Sequence, residues 1–365
     1  MLHDVLLVMQ KTFHSKPEAE RVCILSFDEM HIVRKICYDV SEVQILGPFS
    51  KVQLVLARGI MAVWKQPVFF NFDTTMTKHL LYEIIKKIEE KGLIVKAIVS
   101  DLAGSWKLPQ KTIFFIHPLN CRKTWAFADP PHYLKLLRNH FLDTGLVLKD
   151  GTVLTKNIFE EVFKKDRGEY KLCLKLKPNL LTVRGNERQK VSPAKTLFSA
   201  TTAKALLLLT GNQRAAEFFE LVVSFFDIMN SSKLHPPGNK PLQAGYGLEK
   251  YFSQQEQILQ NMKEEMNGMR VQGKKSLLPF QKGILTSISS LSVNTREDSI
   301  NEGYLTADIL KNAFAEKDMQ EIHELPSEED DLVAFENLCS EEFSMEWKID
   351  EPSNYSSEHF LNMKV

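Results

Sequence analysis

A strand, a helix, a glycine and a second strand follow one another within the first hundred residues, and this order constrains the fold most. The apolar run 22–28 has the pattern of a buried strand and ends in a carboxylate. Leucine and isoleucine recur at one-face helical spacing between Thr77 and Gly92, and the apolar run 93–100 follows. Such a strand–helix–strand unit predicts an α/β sheet.

Further segments of the first half fit the same sheet. Residues 32–38 and 52–64 are rich in β-forming residues, and residues 67–72 have the pattern of a short edge strand. A second helix is predicted to start at Asp129, because its side chain can cap free N–H groups and Pro130 follows where a missing N–H costs nothing.

The second half has helical periodicity and few strand patterns, apart from a loop rich in proline and glycine at 231–247. From Ser292 onward serine, asparagine and acidic residues dominate, which is typical of disordered chain. We therefore predict four parts: a helical lead-in (1–20), a sheet domain (21–145), a mostly α-helical insertion (146–291) and an acidic, disordered tail (292–365).

Charge is unevenly distributed, although the 365-residue chain is neutral overall, with 46 Lys and Arg against 46 Asp and Glu. Residues 296–365 contain 19 Asp and Glu but 5 Lys and Arg, so they carry −14 and the rest of the chain +14. A basic body suits a polyanionic partner such as DNA. The acidic tail would mask this basic body in cis. The alternative is a solvated surface beside an unrelated tail.

Several classes of protein are excluded by what the sequence lacks. The five cysteines have no C-x-x-C spacing and no histidine pair that completes a zinc site, and they suggest no disulfide framework. No signal peptide is recognised, and the longest apolar run, 203–209, is far shorter than the roughly 20 residues that span a bilayer. We expect a nuclear or, alternatively, cytoplasmic protein that is not secreted and has no membrane partner.

Asp28 and Asp101 each follow an apolar strand of the predicted sheet. Ligands of open α/β sheets gather beyond the carboxyl ends of the strands. Two carboxylates at such an edge can hold hard cations such as Mg²⁺, and paired metals would clamp the attacking and leaving oxygens of a phosphodiester. The alternative is that both acids are ordinary turn residues.

Six short blocks follow one another in order between about residues 20 and 291. They are FDEMHI (27–32), GIM with WKQP (59–67), VSD (99–101), DPPHYLK with RN (129–139), FFDIMN (225–230) and PFQKG (279–283). In this order they resemble the P-element-type DNA transposases, including the vertebrate THAP-domain relatives. Six ordered blocks are far more specific than any single one.

The resemblance implies an α/β fold: an RNase H-like mixed sheet with a large helical insertion, which binds GTP in the P-element enzyme, and here an acidic tail. Three acids of that family coordinate metals for DNA cleavage and strand transfer, and Asp28 and Asp101 match the first two. The resemblance thus implies Mg²⁺ or Mn²⁺ for an active enzyme. GTP is implied by family analogy alone, since neither G-x-x-x-x-G-K-[ST] nor G-x-G-x-x-G is present.

This sequence departs from the family at its third acid, a Glu about thirty residues beyond the PFQKG block, for which we find no matching motif. Glu297, Asp298 and Glu302 are acidic, but their setting differs. The residues after Asp101 also differ from the family pattern, and no zinc module precedes the sheet. The resemblance therefore indicates a truncated or domesticated derivative with an incomplete metal site.

Three side chains of the DPPHYLK and RN block are further candidates. His132 would contact phosphate or water near the metals, or would simply bond to backbone at the helix start. Lys135 and Arg138, three residues apart, would bind DNA phosphates or form a solvated face. Four phenylalanines are better explained as core than as a base-stacking surface: Phe218, Phe219, Phe225 and Phe226.

Three functions remain open from the sequence. The favoured one is a domesticated transposase that has lost activity but binds nucleic acid or a protein partner, which includes a second copy of itself. A second is an active metal-dependent nuclease in which Glu297 or Glu302 replaces the missing acid. A third is a GTP-dependent interaction module that uses the helical insertion.

Overall fold

The computed structural model describes residues 1–40, 43–60, 64–100, 113–117, 120, 122–168, 171–230, 240–247 and 249–298. Its strands are β1 (Val22–His31), β2 (Cys37–Asp39), β3 (Gln44–Leu46), β4 (Lys51–Gly59), β5 (Lys65–Phe72), β6 (Ile94–Ser100), β7 (Phe114–Ile116), β8 (Lys123–Ala128), β9 (Leu146–Val147), β10 (Val153–Leu154) and β11 (Arg270–Val271). Its helices are α1 (His3–Phe13), α2 (Glu18–Arg21), α3 (Lys78–Glu89), α4 (Pro130–Asp143), α5 (Ile158–Lys165), α6 (Ser192–Leu197), α7 (Ala200–Thr210), α8 (Gln213–Met229), α9 (Glu249–Gly268) and α10 (Pro279–Asp298).

The centre of the fold is a mixed six-stranded sheet with the order β5-β4-β1-β6-β8-β7. Strands β1, β6 and β8 are parallel, while β4, β5 and β7 join as antiparallel neighbours. Parallel strands need a crossover connection, and α3 provides it between β5 and β6. The α/β sheet predicted from the strand–helix–strand unit is therefore present.

The alternation of side chains along β1 separates two buried cores. Val22 and Ile24 pack with Trp125 and Phe127 against the helical half of the chain, and we call this side of the sheet the insertion face. The residues between them, among them Cys23 and Leu25, pack with α1 and α3 on the opposite side. A strand buried on both sides is expected to be continuously apolar, as the first part of β1 is.

Helix α3 begins where the sequence predicted it. The Thr77 side chain accepts a hydrogen bond from the backbone N–H of Leu80 at 3.2 Å, which satisfies one of the free donors of the first turn. The apolar stripe is buried through four side chains: Leu81, Ile84, Ile85 and Ile88. Burial of this stripe fixes the helix on the sheet.

Strand β1 is longer than the sequence indicated. We expected it to end at Asp28, but its pairing with β4 continues to His31, which lies opposite Lys51. Its parallel pairing with β6 stops at Phe27. Most of the β-rich run 32–38 is not strand, and only a short exposed hairpin of β2 and β3 follows. The pairing with β4 therefore decided the end of the strand.

The helical half shares its core with the insertion face of the sheet. The four phenylalanines of α8 are at most 5% exposed, which confirms their prediction as core residues. The two-residue strands β9, β10 and β11 form a small separate sheet that the sequence did not reveal. Among the described residues, no helix is long and apolar enough to cross a membrane.

Helix α10 returns the chain to the central sheet. The Ser287 hydroxyl accepts a hydrogen bond from the backbone N–H of Ala128 at 3.0 Å, and the Ser290 hydroxyl donates to the carbonyl of Ala126 at 2.7 Å. Residues 279–291 therefore lie on the sheet domain, although the predicted insertion includes them. The four domain boundaries themselves remain a prediction.

Candidate active site

The carboxyl ends of the three parallel strands lie in register. Phe27 of β1 pairs with Ser100 of β6, and Ser100 pairs with Ala128 of β8. In the sequence an aspartate follows each of these three residues. Two of them, Asp28 and Asp129, are described by the structure, and Asp101 lies outside the described residues. The in-register ends form the edge at which ligands of α/β sheets bind.

Asp28 lies at this edge with an exposed side chain. One carboxylate oxygen accepts a hydrogen bond from the backbone N–H of Glu29 at 2.7 Å. The side chain of Gln53, which is 3% exposed, donates to the Asp28 carbonyl at 2.8 Å. By strand alternation, the Asp28 side chain is on the insertion face, on which α4 and α10 pack. The Asp28 backbone is thus held by Gln53, while its carboxylate is bonded to the N–H of Glu29 and remains exposed.

Asp129 begins α4 as the sequence predicted. Its backbone N–H donates to the carbonyl of Ser100 at 2.9 Å, and its carboxylate accepts a hydrogen bond from the N–H of His132 at 3.1 Å. This capping bond confirms the predicted helix start. It also commits one carboxylate oxygen of Asp129 to the helix.

His132 and Lys135 are both half-buried on α4, within two turns of its start. The backbone of His132 is bonded to Asp129, while its ring makes an edge contact with Tyr133 at 6.3 Å between ring centroids. A contact of either side chain with phosphate stays a prediction.

Arg138 is buried, whereas the sequence predicted a side chain on the surface. Its side chain is 0% exposed, and its guanidinium donates to the carbonyls of Arg188 and Lys190 at 2.5 and 3.1 Å. Burial lowers its pKa to about 10, so the group is still charged at neutral pH. Both surface roles that we considered for Arg138, a phosphate contact and a solvated face, conflict with this position. The arginine instead holds a loop of the helical half.

The direction of α10 decides whether Glu297, a candidate for the missing third acid, is near the edge that carries Asp28. Ser287 lies at the carboxyl end of β8 and Ser290 lies nearer its amino end, so the helix runs away from the edge that carries Asp28. The backbone of Glu297 is ten residues beyond Ser287, which is about 15 Å further along the helix axis. The part of α10 beside the edge, residues 279–287, contains no carboxylate.

A divalent metal ion would need more oxygen donors than the described residues provide. The chemistry of Asp28 suits a hard cation. Within the described ranges, however, no group of three His, Cys, Asp or Glu side chains is arranged to hold a metal ion. Asp101 lies outside those ranges. The described donors alone therefore do not form a metal site.

Two features of this edge were missed by sequence reasoning. Asp129 was recognised only as a helix cap, although the apolar run before it and its carboxylate repeat the pattern of Asp28 and Asp101. Gln53 gave no local signal, because its role depends on the antiparallel pairing of β1 with β4.

Comparisons with known proteins agree with this architecture. Residues 1–107 match the family model "TNP-like, RNase H N-terminal domain", and residues 131–241 match "TNP-like, GTP-binding insertion domain". The chain is 36% identical to the "Transposable element P transposase" of Drosophila melanogaster over 289 residues, which are 75% of this chain and 38% of that protein. It thus spans well under half the length of this relative.

A solved structure is similar across most of the chain. The "Drosophila P element transposase strand transfer complex" matches with a TM-score of 0.77 and 31% identity, over 88% of this chain and 76% of that one. The likeness confirms the predicted fold class, an RNase H-like mixed sheet with a large helical insertion. It also confirms the resemblance that the six sequence blocks indicated.

Proposed function

The chain belongs to the P element transposase family, and from this premise we propose that it is a transposase-derived, nucleic-acid-binding protein whose carboxylate metal site is incomplete. Its partner would be DNA, in the nucleus, and a homo-oligomer or another protein partner is compatible with this role. The similar solved structure is a strand transfer complex of a transposase, which supports DNA as the partner.

The in-register ends of β1, β6 and β8 carry this proposal. Phe27, Ser100 and Ala128 are adjacent across the sheet, and an aspartate follows each in the sequence. Such an edge suits the binding of a phosphodiester and of a hard cation, Mg²⁺ or Mn²⁺, through Asp28 and Asp101.

The incompleteness is supported by the course of α10. Glu297, which was considered as a substitute acid, is on a helix that runs from the carboxyl edge towards the amino ends of the strands. The backbone of Glu297 lies about 15 Å beyond Ser287 along this axis and away from the edge of Asp28, whereas carboxylates that share an ion lie within about 2.6 Å of it.

Nicking of supercoiled DNA in Mn²⁺ tests this function. We expect binding of the DNA but no nicking above the rate without protein, because loss of one metal ligand should lower activity by more than about 100-fold. Gel-shift binding and plasmid relaxation would be measured on the same samples of the full chain.

The variants Asp28→Ala and Asp101→Ala decide between the alternatives, with Glu83→Ala on the exposed side of α3 as the control. Nicking that disappears in both aspartate variants but not in the control would show an active nuclease and overturn the proposed loss of activity. A wild-type chain that binds no DNA would contradict nucleic-acid binding itself.

Binding of GTP is a second candidate function, supported by the match of residues 131–241 to a GTP-binding insertion domain. If the chain binds GTP, the nucleotide should raise the melting temperature, since a ligand at 100 times its Kd adds about 2.7 kcal/mol to the free energy of unfolding. ATP at the same concentration is the control. An unchanged melting temperature at millimolar GTP would exclude this candidate.

A further inference from the structure

A segment without helix or strand, apart from two 3-10 turns, crosses the surface of the helical half between α5 and α6. We call residues 171–190 the basic strap. The two turns are Pro178–Leu181 and Gly185–Arg188. Loops of this length within a compact domain are uncommon, and they are usually functional or disordered.

The start of the strap is fixed by a buried carboxylate. Asp166, which is 9% exposed, accepts hydrogen bonds from the backbone N–H groups of Leu172 and Cys173 at 2.7 and 3.1 Å. The Cys173 thiol donates to the carbonyl of Thr201, at the start of α7, at 3.3 Å. Cys173 and Leu176 are buried in the core, so this part of the strap has a defined course.

The end of the strap is fixed by two arginines. Buried Arg138 donates to the carbonyls of Arg188 and Lys190. The guanidinium of Arg188 in turn makes two hydrogen bonds to the carboxylate of Asp143, at 2.9 and 2.6 Å. The strap is therefore held at both ends by charged side chains of this chain and is preorganised for a partner.

The strap carries a high density of positive charge. It contains six Lys or Arg residues and one Glu, a net charge of +5 over twenty residues. Besides Lys190, four of the cations have exposed side chains: Lys171, Lys175, Lys177 and Arg184. None of these four has a carboxylate partner within the part of the chain that the structure describes.

We propose that the basic strap is a second nucleic-acid surface, which binds the phosphate backbone through residues that are not part of the Asp28 edge. Unpaired cations held close together repel one another, and a polyanion relieves this repulsion. Phosphates recur at short intervals along a nucleic acid, so one nucleic-acid chain can neutralise several exposed cations of a short segment. The inference rests on the proposed nucleic-acid binding and assigns to it a surface on the helical half.

The test is the salt dependence of DNA binding by the full chain with Lys171→Gln, Lys175→Gln and Lys177→Gln combined. Each phosphate contact contributes about 0.9 to the slope of log K against log salt. We expect the slope to fall by about 3 and the affinity at low salt to fall at least about tenfold, equally for unrelated DNA sequences.

A matched control removes three other exposed lysines, with Lys11→Gln, Lys86→Gln and Lys263→Gln, on α1, α3 and α9. The melting temperature of both triple variants should stay close to that of the wild type, because the replaced side chains are on the surface. Equal DNA affinity and salt slope in the two variants would overturn the role of the strap while nucleic-acid binding stands. A wild-type chain without affinity for DNA would instead overturn the proposed function.

Limited proteolysis of the same full-length variants separates nucleic acid from an acidic peptide as the partner. If the strap bound the acidic residues 299–365 of its own chain, the strap variant would be cut faster in that region than the control variant, with DNA affinity unchanged. That result would overturn the assignment to nucleic acid. Equal cleavage together with weakened DNA binding would support it.

Discussion

Replacement of Arg138 by methionine is expected to lower the free energy of unfolding by about 3–5 kcal/mol. The side chain is fully buried, and its loss leaves the carbonyls of Arg188 and Lys190 without their donors. An unsatisfied buried polar group costs about 1–3 kcal/mol, and the lost packing of the long side chain adds to this. Chemical denaturation monitored by tryptophan fluorescence would measure the change.

Arg188→Met is the matched control for this prediction. Its guanidinium is about one third exposed and is paired with Asp143, whereas its carbonyl, which Arg138 binds, is unchanged by the substitution. A surface pair contributes about 0–1 kcal/mol. A loss below about 1 kcal/mol in Arg138→Met would show that the arginine does not anchor the strap. It would also remove the argument that the strap is preorganised.

Gly283→Ala is expected to lower the free energy of unfolding by about 1–3 kcal/mol, although alanine normally stabilises a helix relative to glycine. A Cβ atom at Gly283 would lie 2.3 Å from the hydroxyl oxygen of Tyr133 and 2.4 Å from its Cζ atom. Tyr133 is 3% exposed between α4 and α10, so the ring has little room to move. Thermal unfolding followed by circular dichroism would measure this loss.

A double-mutant cycle with Tyr133→Leu tests the cause. If the close contact is responsible, Gly283→Ala should cost at least about 1 kcal/mol less in the Tyr133→Leu background than in the wild type. Ser289→Ala, a half-buried position of the same helix, controls for the effect of alanine itself. Additive effects of the two substitutions would argue that α10 does not pack against α4 in this way.

Both predictions concern parts of the chain that hold the edge in place. Helix α4 carries the Asp129 cap at one end and Arg138 in its middle, while Gly283 allows α10 to approach the same helix closely. The resemblance blocks DPPHYLK with RN and PFQKG are therefore explained in part by packing. Similarity of these blocks alone did not distinguish packing residues from site residues. Arg138 was therefore a candidate phosphate contact, although it is buried and binds backbone carbonyls.

Much of the fold followed from the sequence, because local patterns specify local structure. The helical stripe after Thr77, the cap at Asp129 and the buried phenylalanines of α8 each depend on neighbours within a few turns. The apolar runs before Asp28 and Asp101 were sufficient to predict strands of an α/β sheet. The order of six blocks was sufficient to indicate the family.

Long-range pairing decided what the sequence alone did not. The length of β1 depends on β4, and the alignment of Phe27, Ser100 and Ala128 depends on the register of three strands that are distant in sequence. The burial of Arg138 depends on carbonyls fifty residues away. Local periodicity determined the elements and the candidate carboxylates, because those rest on near neighbours. Only the tertiary structure decided which groups contact one another, because a contact between two distant residues leaves no pattern in the local sequence around either residue.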